Sequence, residues 1–257
     1  MSADRPSTTP RSASGYWHES ARPLPSLAFV TPMLLFYEVG VLLLGPQALR
    51  NAADVWLRQL LDTLGFSQYF LLPILTCGVL LAWQHASHRP WRIRWSVCYG
   101  MLLESCVFGF LLVVLASWQG LLFSPPNAVG EVPTDSTRQF FGLLVGYVGA
   151  GIYEEVLFRM LMLPAAVGLL RMGGFSMRTS LIASVIAISL LFAAAHYRFD
   201  FTLVGHRFAT LHGESFVWGS FLFRFLAGAL FALLYVFRGF GVTAGSHAMY
   251  DLFTLVF

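Results

Sequence analysis

The stretch GYVGAGIYEEVLFRML, residues 146–161, places two glutamates and an arginine inside an apolar segment that runs from about Phe140 to Leu163. A segment of about 20 apolar residues crosses the hydrocarbon core of a bilayer as a helix. An ionisable side chain inside such a helix costs about 2.5 to 3.5 kcal/mol on insertion scales, so each one needs a partner or a function. The stretch therefore predicts a membrane helix that carries a functional site.

The composition of the whole chain also indicates a membrane protein. Of its 257 residues, 57% are apolar and 11% are charged, whereas soluble domains carry about 25% charged residues. The mean hydropathy is +0.68, and the net charge of +3 is too small to indicate a nucleic-acid partner. We expect an all-α polytopic membrane bundle of about seven to eight helices with a membrane-embedded polar cavity. The other apolar stretches lie at about Leu24–Leu44, Phe66–Trp83, Val97–Trp118, Leu181–Ala195, Phe216–Phe237 and Val242–Phe257.

The distribution of arginines predicts how the chain is threaded. Residues 1–22 are rich in Ser, Pro and Arg, which is typical of a disordered cytoplasmic tail. With that tail inside, a seven-crossing arrangement places nine arginines on the cytoplasmic side and five on the other. Residues 23–257 then form a single integral membrane domain. We expect a bacterial-type cytoplasmic membrane as its location.

A short amphipathic segment is predicted between the first two crossings. Apolar residues from Ala53 to Leu64 recur at helical spacing, and Arg50, Asp54, Arg58 and Asp62 form a charged stripe four residues apart on the opposite face. This pattern predicts a helix that lies at the membrane interface, either as a structural connector or as a substrate gate.

The two glutamates of the opening stretch are expected to have different surroundings. On a helix Glu155 and Arg159 lie four residues apart on one face and can pair, while Glu154 points about 100° away. Glu155 is then neutralised locally, and Glu154 is available to a cavity. Glycines just upstream would let another helix approach closely.

Two later apolar segments carry further polar residues. His196 follows Phe192 by four residues near the end of one segment, and His247 and Asp251 share a face of the last one. A carboxylate and an imidazole together can take a proton from water and deliver it to a leaving amine. A second histidine could stabilise the resulting oxyanion. The set therefore points to hydrolysis by activated water.

Two alternatives to direct activation of water are consistent with the same residues. Glu154, His196, His247 and Asp251 could instead surround a zinc ion, with a bound water as the nucleophile, although the helical HExxH signature is absent. A non-catalytic membrane protein, either a proton-coupled carrier or an immunity or scaffold protein, could use the same buried polar cluster.

The ordered motifs resemble those of the CPBP intramembrane proteases, or Abi family, which include the type II CAAX prenyl endopeptidases. The family pattern is EExxxR, then FxxxH, then HxxxN or HxxxD, on successive core helices. It occurs here as Glu154, Glu155 and Arg159, then Phe192 and His196, then His247 and Asp251. The resemblance covers about residues 138–257, the expected catalytic core, and it implies an all-helical intramembrane endopeptidase that acts on a membrane-associated protein or peptide.

The resemblance also implies roles for individual residues. Glu154 and His196 would activate the water, and His247 with Asp251 would form the oxyanion hole, with no cofactor or, in the metal-dependent alternative, with zinc. Asp251 replaces the Asn of the prenyl endopeptidases, so a prenylated substrate is left open. It could donate while protonated, or it could fix the tautomer of His247. Structural support of the site is implied for Glu155, Arg159 and Phe192.

Three further charges lie in apolar segments outside these motifs. We expect Arg224 to pair across a helix interface with one of the two acids Glu38 and Glu104.

Overall fold

A computed structural model describes residues 13–45, 50–66, 69–123, 137–198, 200–203, 206–209 and 213–256. Most of these residues are helical. The helices are α1 Ala13–Ser20, α2 Pro23–Leu44, α3 Ala52–Thr63, α4 Leu71–Ala86, α5 Trp95–Phe123, α6 Thr137–Glu155, α7 Leu163–Met172, α8 Met177–Ala194 and α9 Trp218–Phe253. A π-helical segment, Val156–Met162, joins α6 to α7. Two short antiparallel strands, β1 Asp200–Leu203 and β2 His206–Ala209, form a hairpin between α8 and α9.

The lengths and compositions of the helices confirm an all-α polytopic membrane bundle. Within the described residues, four helices are long and apolar enough to cross a membrane, namely α2, α5 up to Gly120, α8 and α9, and α4 is a shorter apolar helix. The chain is an integral membrane protein. Helices from its first half pack directly on those of its second half, with α2 against α6 and α5 against α9.

The long helix α9 is two helical arms that meet at a reversal. Gly239 lies inside it with φ 78° and ψ 176°, which are not helical values. The ring of Phe231, before Gly239, stacks on the ring of His247, after it, with centroids 4.5 Å apart. In a straight helix these residues would be about 24 Å apart along the axis. Residues 218–238 and 240–253 therefore form a helical hairpin, as the two separate apolar stretches predict.

Glycines of α6 allow the close helix packing that the sequence predicts. A Cβ atom on Gly149 would lie 2.1 Å from the Tyr37 ring of α2, and one on Gly151 would lie 2.6 Å from the backbone nitrogen of Ala248 in the second arm of α9. Only glycine permits these approaches. They bring the second arm, with His247, against the end of α6.

The N-terminal region differs from the predicted disordered tail. Residues 1–12 lie outside the described residues, but residues 13–20 form the helix α1. Tyr16 of α1 donates a hydrogen bond to Glu104 Oε2 at 2.7 Å, and the Arg238 guanidinium lies 3.8 Å from the Trp17 ring centroid. The prediction of disorder was wrong for α1, because long-range contacts that the local composition does not reveal hold it in place.

The predicted amphipathic helix is present as α3, but Asp54 and Arg58 of its charged stripe face inward, while Asp62 is exposed. Asp54 is fully buried, with ion pairs to Arg50 at 3.0 Å and Arg58 at 2.6 Å. The apolar side chains of Trp56 and Leu60 are exposed instead. Ala53 and Leu57 are buried beside Asp54, so the inner face of α3 combines apolar packing with a buried ion-pair network.

The prediction that Arg224 pairs with Glu38 or Glu104 was wrong. Arg224 pairs with Glu214, in the segment before α9, at 2.7 Å. Glu104 pairs with Arg238 at 2.5 Å, and Glu38 pairs with Arg58 at 3.1 Å. Both acids therefore pair with arginines other than Arg224, because sequence spacing does not determine the contacts between distant helices.

Candidate active site

The end of α6, the end of α8 and the second arm of α9 place four polar side chains together. Glu154 is the centre of this cluster. Its Oε2 lies 3.9 Å from His196 Nε2 and 3.8 Å from His247 Nε2. His247 Nε2 in turn lies 3.6 Å from Asp251 Oδ2. The structure thus brings together the four residues that the sequence analysis singled out as candidates.

The two carboxylate oxygens of Glu154 differ in their contacts. Oε1 accepts a hydrogen bond from Asn51 Nδ2 at 2.7 Å. Oε2 is buried and makes no hydrogen bond within the described residues. A buried carboxylate oxygen without a donor is costly, so its presence points to a ligand or a chemical role. The oxygen that faces both histidines is therefore the one available for chemistry.

A backbone contact orients His196, which lies at the end of α8. Its Nδ1 lies 2.8 Å from the carbonyl oxygen of Phe192, one turn earlier. A carbonyl can only accept, so Nδ1 carries the proton, and the neutral ring presents the Nε2 lone pair towards Glu154. The His196 side chain keeps 28% of its surface exposed, compared with 11% for Glu154, so this edge of the cluster is open.

Glu155 holds His247 from the other side. Its Oε1 lies 2.7 Å from His247 Nδ1 and 3.0 Å from Arg159 Nη1. A carboxylate accepts from Nδ1–H, so any donation by His247 to a ligand must come from Nε2. Phe231 stacks on the ring with an interplanar angle of 12°, which restricts its rotation.

Arg159 lies beneath the cluster and ties three helices together. It is fully buried, it forms the expected pair with Glu155, and it donates to the Gly228 carbonyl of α9 at 3.1 Å. Its guanidinium lies 4.2 Å from the ring centroid of Phe192. The π-helical segment begins directly after Glu155, and π-helical turns inside α-helices are frequent at functional sites.

Two backbone hydrogen bonds join residues 196–198 to Glu214 in the segment before α9. The Glu214 backbone nitrogen donates to the His196 carbonyl at 2.9 Å, and Arg198 donates back to the Glu214 carbonyl at 3.0 Å. The hydrogen bond from Arg224 lowers the pKa of the Glu214 carboxyl. These contacts hold the backbone at His196.

Sequence reasoning missed Asn51 and Phe231. Asn51 precedes α3, where its type and position predict a helix N-cap, but nothing in the sequence relates it to Glu154. Phe231 lies in a stretch rich in aromatic residues, and only the reversal at Gly239 brings it to His247.

A cavity of about 330 Å³ lies beside α3 and is lined by Arg50, Arg58 and Tyr69 rather than by the four clustered side chains.

The donor types of the cluster would suit zinc. Zinc is bound by nitrogen or oxygen ligands at about 2.0 to 2.2 Å from the ion. Among the residues that the structure describes, no group of three or more His, Cys, Asp or Glu side chains converges closely enough to hold a metal ion.

Comparison with known proteins gives one family match, in the second half of the chain. Residues 136–253 match the family model of the Rce1-like type II CAAX prenyl endopeptidases. All four clustered residues lie within the matched segment, whereas Asn51 lies outside it. Searches of curated proteins and of solved structures found no match.

Proposed function

We propose, from the match of residues 136–253 to the family model of the Rce1-like type II CAAX prenyl endopeptidases, that this membrane protein hydrolyses a peptide bond of a membrane-associated protein or peptide. The observation that carries the proposal is the position of the unpartnered Glu154 Oε2, within 4 Å of one imidazole nitrogen from the turn after α8 and of another from the second arm of α9. Such a carboxylate is suited to take a proton from a nucleophile.

Glu154 and His196 activate water in the proposed reaction. Their facing atoms, 3.9 Å apart, are too distant for a direct hydrogen bond, but one water could bond to both. Glu154 takes one proton as the water oxygen attacks the carbonyl carbon, while the His196 Nε2 lone pair accepts the other hydrogen bond and orients the water. The proton on Glu154 then passes to the leaving amine as the C–N bond breaks. No covalent enzyme intermediate forms.

His247 and Asp251 stabilise the oxyanion in this proposal. With Nδ1–H donating to Glu155, His247 must also be protonated at Nε2 to donate to the oxyanion. The carboxylates of Glu154, Glu155 and Asp251, all within 4 Å of the ring nitrogens, would compensate the positive charge of that ring. Asp251 can contribute a second donor only in its protonated form.

The test uses purified protein in proteoliposomes and two peptides of the same sequence, one with a C-terminal prenylated CAAX motif and one with an unmodified cysteine. Mass spectrometry would locate the cleaved bond. We expect cleavage by the wild type and at least a 100-fold lower rate for Glu154→Gln, with Glu19→Gln as a carboxylate control away from the site. Preference for the prenylated peptide would assign the substrate class.

Two outcomes would contradict this proposal. If neither peptide nor a library of membrane-tethered peptides is cleaved, the cluster belongs to a non-catalytic protein such as a carrier or scaffold. If activity and stoichiometric zinc are lost together on dialysis against a chelator and return together when zinc is added, the water is activated by a metal.

A further inference from the structure

We infer that Asn51, which precedes α3 and lies outside the family-matched segment, is a positioning residue for Glu154; this inference rests on the proposed function. Asn51 Nδ2 donates to Glu154 Oε1 at 2.7 Å across 103 residues of sequence. Nothing else among the described contacts holds Oε1. The first half of the chain thus supplies a partner to the proposed catalytic base.

The orientation of the Asn51 amide is fixed by a second contact. Its Oδ1 accepts a hydrogen bond from the Ala53 backbone nitrogen at 2.8 Å, which makes Asn51 the N-cap of α3. An amide has an acceptor oxygen at one end and a donor nitrogen at the other. Because the oxygen faces the helix, the nitrogen faces Glu154.

The backbone that carries Asn51 is itself anchored. Val55 N donates to the Asn51 carbonyl at 3.1 Å. Asp54, fully buried, accepts from Tyr37 of α2 at 2.8 Å and is paired with Arg50 and Arg58. This network fixes the start of α3 against α2, so Asn51 is held by more than its own helix.

The contact has a specific consequence for the proposed chemistry. A glutamate side chain has several rotamers, and the one observed for Glu154 directs Oε2 to both histidines. The bond to Oε1 selects that rotamer without occupying Oε2. Displacement of a reacting group by about 1 Å can cost about 100-fold in rate, so loss of the bond is expected to lower kcat by about 10- to 100-fold and to leave KM within about twofold.

Asn51→Asp separates positioning from helix capping. Aspartate is as good an N-cap as asparagine, but it has no hydrogen to donate to Glu154 and places a second carboxylate beside it. Asn51→Ala loses both contacts. The matched control is Ser176→Ala, because Ser176 caps α8 by accepting from Thr179 N at 3.1 Å and has no contact with the site. We expect both Asn51 variants to lose kcat, and Ser176→Ala to keep it.

A folded Asn51→Asp protein with kcat within twofold of the wild type would overturn the inference. A wild type that cleaves no peptide would instead be a failure of the proposed function. In that case a double-mutant cycle of Asn51→Ala and Glu154→Ala, read as melting temperatures in detergent, still tests the contact. Non-additive shifts support it, and additive shifts overturn it.

Discussion

Two adjacent glutamates of α6 lie in contrasting surroundings. Glu155 Oε1 has two compensating donors, with His247 Nδ1 at 2.7 Å and Arg159 at 3.0 Å, while its Oε2 is buried without a hydrogen bond among the described residues. Glu154 has one oxygen bonded to Asn51 and the other without a donor. The first arrangement favours a structural group, and the second suits a group that accepts a proton from a bound water. Substitution should therefore separate stability from activity.

Glutamine at each position gives different expected results. Glu154→Gln keeps size and polarity but removes the base, so hydrolysis should fall at least 100-fold with little change in melting temperature. Glu155→Gln leaves Arg159 buried without its counter-ion, which costs about 3 to 5 kcal/mol. It should lower both yield and melting temperature. A stable, inactive Glu155→Gln together with an active Glu154→Gln would reverse the assignment.

Asp251 is the residue at which the chain departs from the prenyl endopeptidase pattern. The structure gives the Nδ1 atom of His247 to Glu155, so the tautomer of His247 does not depend on Asp251. Asparagine at this position could still donate to an oxyanion. We therefore expect Asp251→Asn to retain activity, measured as kcat across a range of pH values. Uniform loss of activity at every pH value in a well-folded Asp251→Asn protein would contradict this expectation.

At the scale of single elements, the ion pair between Arg238 and Glu104 is one of the contacts that hold α1. Arg238 bonds Glu104 at 2.5 and 2.6 Å, Ser20 Oγ at 2.8 Å and the Trp17 carbonyl at 3.1 Å. Because Glu104 compensates the charge that holds α1, its removal should loosen α1 as well as α5.

Glu104→Gln is expected to lower the melting temperature and expose α1 to limited proteolysis. The loss should be about 3 to 5 kcal/mol, since Arg238 is left buried without its counter-ion. The control is Glu19→Gln, which breaks the pair between Glu19 and Arg94, side chains that are 30% and 38% exposed. A pair so exposed contributes about 1 kcal/mol or less. Equal effects of the two substitutions would show that burial does not determine the strength of these pairs.

Contacts between residues that are close in the sequence could be predicted, whereas the partners of distant contacts could not. The pair of Glu155 and Arg159 follows from helical spacing, and the close packing at Gly151 follows from residue size. The partner of Arg224 did not follow, because Glu214 lies in an irregular segment with no periodic pattern. Asn51 was equally hidden, since its capping role is local but its contact with Glu154 depends on how α3 packs. Long-range pairing requires the assembled bundle.

At the scale of the whole molecule, contacts between helix ends show which of those ends lie on the same side of the bundle. A Cβ atom on Gly239 would lie 2.7 Å from the Ala21 carbonyl oxygen, so the α9 reversal lies on the same side as α1. Gln119, near the end of α5, donates to the Gly219 carbonyl at the start of α9. The start of α9 therefore lies on the side of the bundle opposite α1 and Gly239. The second arm of α9 runs from Gly239 back towards that opposite side.

Cysteine labelling tests this arrangement in a background lacking the free cysteines Cys77, Cys98 and Cys106. His18→Cys and Thr254→Cys, at exposed positions, should react with a membrane-impermeant maleimide from opposite faces of sealed vesicles. Our proposal of a cytoplasmic N-terminus adds that His18→Cys reacts only from the cytoplasmic face. Labelling of both positions from one face would contradict the reversal at Gly239.

The docking of α1 also sets an order for assembly during synthesis. Ser20 meets Arg238 across 218 residues of sequence, and translation proceeds at about 5 to 20 residues per second. About 10 to 45 s therefore pass between synthesis of the helix and synthesis of the arginine that holds it. Throughout that interval α1 can contact Glu104 of α5 but has no Arg238 to bind, so its docking is complete only after the ribosome has made the first arm of α9.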